Sequence, residues 1–136
     1  MTDRLDKIQS EGRKTRERVQ GEKANALLEA MRAVDERVAD WSDSFVFGEV
    51  WANSHLEFEE QVLVAIAALA AQGHTAQLRT YLHGAVQAGI DSDKIQDLLV
   101  MMVVYSGFPS ALMSLAEWRK VRESYPAETA SQKVGQ

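Results

Sequence analysis

Apolar residues recur every three or four positions along most of this chain, and no segment alternates apolar and polar residues long enough to read as a strand. That periodicity predicts an all-α fold, a single-domain bundle of about six helices. The first covers about residues 3–19, amphipathic but strongly charged, and ends near Gly21. A second runs through NALLEAMRAVDERVADW, where Leu27, Leu28, Met31, Val34, Val38 and Trp41 recur at helical spacing. It, or a separate helix after Ser42, continues through FVFGEVWAN. The third, about 57–72, contains VLVAIAALAA and stops at Gly73; small side chains on most of its faces imply close approach by other helices. The fourth starts from Thr75 as N-cap and stops at Gly89. Asp91 caps a fifth, Ser92 to about Tyr105, and the last runs from about Ser110 to Ser124.

The second half of the fifth helix, LLVMMVVY, is apolar all round. One flank of a small bundle cannot bury such a segment, so its remaining face is expected to meet another subunit. The helical domain is expected to span residues 1–124, with residues 125–136 as a polar, disordered tail.

Composition narrows the function classes. A chain of 136 residues fits one domain, and its 46% hydrophobic and 26% charged content is ordinary for a globular protein. A net charge of −5 argues against a nucleic-acid partner, because phosphate binding needs a basic face. The N-terminus lacks the apolar core of a signal peptide, and the longest apolar run, Leu98 to Tyr105, is far too short to span a bilayer. A cytoplasmic protein with no membrane partner is expected. The chain has no cysteine, which excludes disulfides, thiolate metal sites and thiol nucleophiles. His55, His74 and His83 stand at neither HxxxH nor HExxH spacing, so no metal site is expected.

Gly12, Arg16, Val19 and Gly21 form a G-x-x-x-R-x-x-V-x-G opening, and residues 47–51 read FGEVW. LAAQG (69–73), LRTYLHGAVQAGI (78–90), IQDLLVMMVVYSGFP (95–109) and SALMSLAEW (110–118) follow. In order and spacing these segments resemble the carboxymuconolactone decarboxylase family, over roughly residues 10–122. The likeness is to its decarboxylase branch, not to the alkylhydroperoxidase-D-like proteins, whose CxxC pair this chain lacks. It implies a small all-helical fold and decarboxylation of gamma-carboxymuconolactone to the enol-lactone of 3-oxoadipate. It also implies action without metal or organic cofactor, and assembly as a homo-oligomer, a hexamer or trimer.

Several polar positions depart from the family pattern. Gln61 stands where the family shows an arginine, Tyr81 where it shows a histidine, and His83 where it shows an arginine. Glu49, Trp51 and Tyr105 match. His83 is a poor deputy for the missing histidine, because two positions on a helix differ by about 200° of rotation. Tyr81 shares a face with Leu78, Leu82 and Ala85, whereas His83 goes with Arg79 and Gln87.

Four residues are catalytic candidates on this reading: Glu49, Tyr81, His83 and Tyr105. Glu49 has Phe45, Val46, Phe47, Val50 and Trp51 as sequence neighbours, and desolvation among them would raise its pKa and suit it to proton transfer. Its alternative is a structural glutamate paired to an arginine or capping a helix. Tyr81 could donate a hydrogen bond to an enolate oxygen, or be a core tyrosine. His83 also reads as a solvated or interface histidine, and Tyr105 as packing. Phe45, Phe47, Trp51, Gln61 and Met102 are expected to line the substrate site. With neutral Gln61 and Tyr81 in place of cationic family residues, the expected substrate is less anionic and more apolar than gamma-carboxymuconolactone. A related cofactor-free isomerase or cyclase reaction would use the same residues. The alternative of another class is a non-catalytic oligomeric scaffold whose acid–base residues have drifted.

Overall fold

The computed structural model describes residues 2–126 and contains no strand among them. Helix α1 is Thr2–Gln20, followed by a 3-10 turn at Gly21–Lys23, α2 at Ala24–Val34 and α3 at Glu36–Trp41. A π-helical segment, Ser42–Trp51, leads into α4 at Phe58–Gln72, α5 at Thr75–Gln87, α6 at Ser92–Tyr105 and α7 at Phe108–Glu123. The expected all-α fold is therefore observed.

Local chemistry accounts for the boundaries. Glu57 and Glu60 form a reciprocal capping box at the start of α4, and Gly73 ends it in the left-handed region at φ 73°. Asp91 caps α6 by accepting from the Asp93 N–H at 2.8 Å. Thr75 is the first residue of α5 and not its cap, a place taken by His74. The helix expected over residues 25–41 is broken at Asp35 into α2 and α3. Asp35 takes an extended backbone, and its carboxylate accepts from the Arg37 backbone N–H at 2.8 Å and from the Arg37 guanidinium. An aspartate offering its own cap can outcompete helix continuation, which apolar periodicity does not register.

The core lies among α4, α5, α6 and α7. Val62 and Ile66 meet Leu78 and Leu82, with Ile95, Leu99, Trp118 and Val121 closing the cluster. Leu78, Leu82 and Ala85 recur at spacings of four and three, which turns one stripe of α5 inward. On α6, Ile95 and Leu99 are buried, while Val100, Met101, Val104 and Tyr105 are exposed. The bundle thus covers only one side of that apolar helix. No described helix is long and apolar enough to cross a membrane. Residues 127–136, most of the tail expected to be disordered, lie outside the described residues.

Helix α1 is attached differently. It runs along the π-helical segment and crosses α5, and only Gly12, Arg16, Val19 and Gln20 of its described side are buried. The backbones touch. A Cβ at Gly12 would sit 1.8 Å from the Asp43 carbonyl oxygen, and one at Gly84 of α5 would sit 1.8 Å from that of Val19. Gly48 faces the Asp43 and Ile8 carbonyls at 2.7 and 2.8 Å in the same sense. Gly12→Ala should therefore force α1 off the π-helical segment, at a cost of about 2–3 kcal/mol. A urea midpoint unchanged from wild type would show that the two helices can part freely.

Candidate functional site

The FGEVW stretch lies on the π-helical segment, where residues four apart share a row. Ala39, Asp43 and Phe47 are buried along one row, and half-buried Trp51 ends it with its ring 5.2 Å from that of Phe47. Phe45 and Glu49 lie on another row, and both are exposed. The desolvation expected for Glu49 is therefore not supplied within one chain. Its apolar sequence neighbours are one or two positions away, and on a helix such neighbours point elsewhere. Gln61, at the start of α4, donates to the Trp51 carbonyl at 2.8 Å, so its amide fastens the end of the π-helical segment.

Phe45 lines an apolar surface groove of about 610 Å³ with Met31, Val38, Trp41, Ser42 and Val46. Phe47 is a core residue at 1% exposure, so the two phenylalanines do not share a wall. Met102 packs half-buried against the bundle core, and Tyr105 stands 74% exposed at the end of α6. Neither the Phe45 groove nor the small polar pocket beside His83 gathers the expected residues together. No hydrogen bond or ion pair joins Glu49 to Tyr81, His83 or Tyr105 among the described residues.

Tyr81 has polar company that sequence reasoning overlooked. It packs half-buried against the core cluster, beside Arg16 and Gln20 of α1. Arg16 is wholly buried, and its Nε donates to Asp43 Oδ1 at 2.6 Å. Its Nη1 donates to the Ala24 carbonyl at 2.6 Å and to Gln20 Oε1 at 3.3 Å. Nη2 is buried with no partner among the described residues. Asp43, 1% exposed, also receives Arg13 Nε at 3.3 Å. Burial pushes the Tyr81 phenol above its ordinary value of 10.0, while neighbouring Gln20 and the Arg16 charge pull it back. It is thus a protonated donor at neutral pH. A signal for this cluster was present: an arginine at position 16 of the stripe 12–16–19 must be buried, and a buried arginine needs an acid.

His83 faces the other way, as two positions of helical rotation require. Its Nδ1 shares a hydrogen bond of 2.9 Å with Tyr125 Oη, and Gln87 Nε2 donates to the same oxygen at 3.1 Å. Glu22, Lys23 and Ser124 complete a small polar pocket of about 260 Å³. Burial first, then the Lys23 and Arg79 charges, hold its imidazole below the ordinary histidine value, with Glu22 opposing. Arg79 itself is committed to Glu117 through two hydrogen bonds of 2.9 and 3.2 Å.

Two comparisons bear on this geometry. The profile of the carboxymuconolactone decarboxylase family matches residues 36–120. The chain is also 32% identical over 110 residues to the 4-carboxymuconolactone decarboxylase of Acinetobacter baylyi, covering 79% of this chain and 82% of that protein. The profile takes in Glu49, Gln61, Tyr81, His83 and Tyr105 but not Arg16 and Gln20.

The depressed imidazole has a measurable consequence. Unfolded His83 takes up its proton near the ordinary value of 6.5, whereas the folded protein resists it. The stability it contributes is complete above that pH and is lost as pH falls through the lower folded value. Thermal midpoints measured from about pH 8 to about pH 5 should decline at the acid end, and His83→Gln should flatten that decline. An equally steep His83→Gln profile would assign the slope to other groups.

Proposed function

The chain belongs to the carboxymuconolactone decarboxylase family, and we propose that it is a cofactor-independent lyase of the decarboxylase type, working on a cyclic acid less anionic and more apolar than gamma-carboxymuconolactone. Family and relative together point to decarboxylase-like chemistry; the substrate and the residue roles are the proposal. The observation that carries it is the Tyr81 phenol, half-buried against the core and protonated, with the Arg16 charge nearby.

In such a reaction the bond from the ring carbon to the carboxylate breaks. Its electron pair enters a conjugated carbonyl, carbon dioxide leaves, and the resulting enolate is reprotonated at carbon. Tyr81 supplies the hydrogen bond that strengthens as charge develops on the enolate oxygen. Glu49, having taken a proton from solvent, delivers it to that carbon, and needs a second copy of the chain over the exposed Phe45–Glu49 row to lose water. The candidate residues bring little uncompensated positive charge to a second carboxylate. Arg16 is paired with Asp43, Arg79 with Glu117, and Gln61 is neutral and tied to the Trp51 carbonyl. That supports a less anionic substrate.

Assembly as a homo-oligomer, a trimer or hexamer, is part of the proposal and is supported by the exposed apolar side of α6. Sedimentation of the purified chain should give a species larger than a monomer; a monomer at micromolar concentration would remove the second copy from the site. Turnover should be followed by carbon dioxide release, with gamma-carboxymuconolactone beside apolar cyclic β-keto acids. Tyr81→Phe should lower kcat about 100-fold, the scale for one oxyanion donor. Gamma-carboxymuconolactone turnover matching that of the Acinetobacter baylyi enzyme would sink the substrate assignment, and undiminished Tyr81→Phe turnover would sink the role of the phenol.

A further inference from the structure

The hydroxyl of Tyr125 joins three elements through hydrogen bonds whose directions chemistry fixes. The Glu22 backbone N–H, in the 3-10 turn, donates to the Gln87 side chain at 2.9 Å, so the receiving atom is the amide oxygen. The other end of that amide, Nε2, has no lone pair to offer and donates to Tyr125 Oη at 3.1 Å. Tyr125 Oη therefore accepts from Gln87 and has one proton of its own to place. Two acceptors lie within reach, both on His83: Nδ1 at 2.9 Å and the backbone carbonyl at 3.4 Å. Hydroxyl donors favour distances up to about 3.0 Å, so the proton goes to Nδ1, which is then the bare nitrogen of a neutral ring. Ser124 Oγ, in the same pocket, donates to the Val121 carbonyl at 2.6 Å and does not compete.

A proton on the ring reverses the last link. Both nitrogens of an imidazolium are donors, so Nδ1 turns an N–H toward an oxygen that already receives Gln87. The hydroxyl proton is left with the more distant carbonyl. We propose that Tyr125 and His83 form an acid-released latch. The neutral imidazole accepts the Tyr125 hydroxyl and holds residues 124–126 against α5, and the protonated ring lets them go. The charged groups that act on the ring are Lys23 and Glu22 on the 3-10 turn and Arg79 on α5. Arg79 is paired with Glu117 of α7, which Lys120 approaches at 3.6 Å. Burial most of all, then Lys23 and Arg79, oppose a proton on His83, while Glu22 favours one. Release therefore falls below the ordinary histidine value of 6.5. The latch is independent of the proposed reaction, because His83 and Tyr81 lie on different faces of α5.

The chain has no cysteine, so Pro126→Cys gives one thiol for a nitroxide label that reports the motion of the latched end. Spectra are taken from about pH 8 to about pH 4.5, across the histidine range, with helicity followed by circular dichroism. The label should be restrained at the alkaline end and mobile at the acid end, with helicity kept. The rings of His83 and Tyr125 meet at 5.6 Å between centroids, a contact that Tyr125→Phe preserves. Adding Tyr125→Phe should nevertheless leave the label mobile throughout. Adding His83→Asn, whose amide oxygen can stand where Nδ1 stood but takes up no proton, should leave it restrained throughout. Absence of an acid step with the label alone overturns the latch. So does an acid step that persists in either double variant, or restraint that persists in Tyr125→Phe. A second readout is the nitrogen-15 spectrum of the natural sequence, in which His83 is the one of three histidines whose signals are lost in His83→Asn. At about pH 8 its Nδ1 should be bare, and a protonated Nδ1 there overturns the direction of the bond whatever the label does.

Discussion

The buried ion pair between Arg16 and Asp43 holds this structure to its site. It joins α1 to the π-helical segment at a point where the two backbones are already in contact through Gly12 and Gly48. Both charges lie at 1% exposure or less, so each depends on the other for the solvation it gave up. Removing one partner would strand the other as an uncompensated buried charge, at a cost of about 3–5 kcal/mol. Apolar burial could not hold α1 in this place, because α1 offers Val19 and little else.

The position of α1 then decides the character of the candidate site. The same guanidinium that meets Asp43 also grips Gln20, and its charge favours the ionised form of the Tyr81 phenol. A tyrosine on the inner side of α5 would otherwise be a core residue with its hydroxyl in an indifferent environment. Here burial raises its phenol while Gln20 and the nearby Arg16 cation moderate that rise. Gly84 on α5 contributes by letting the Val19 carbonyl come close. Glycines far apart in sequence thus serve one docking event.

Among the described residues several large apolar side chains remain uncovered, and two groups of them stand out. One is the outer side of α6 with Met101 and Val104; the other surrounds Trp41 and Phe45 on α3 and the π-helical segment. Exposed areas of this kind on a small chain point to protein contacts. Glu49 shares the row of Phe45, so whatever covers that side also sets the polarity of the carboxylate. His83 belongs elsewhere, in a polar contact with Tyr125 that ties the end of the described chain to α5.

The sequence by itself determined the helical class, the ends of most helices and the family. These depend on short-range facts: apolar spacing, Gly73 and Gly89 as stops, Asp91 as a cap, and motifs in a fixed order. It also separated Tyr81 from His83, since helical rotation alone puts them on different faces. It did not register that Glu49 is exposed within one chain, because neighbours one or two positions along a helix point elsewhere. It passed over Asp43, whose importance arises from a partner 27 residues away in the chain. Only the tertiary structure could decide which rows of the π-helical segment face inward, and which acid answers the buried Arg16. Those outcomes follow from the close contact of α1 with two other elements, and local sequence has no means of recording such a contact.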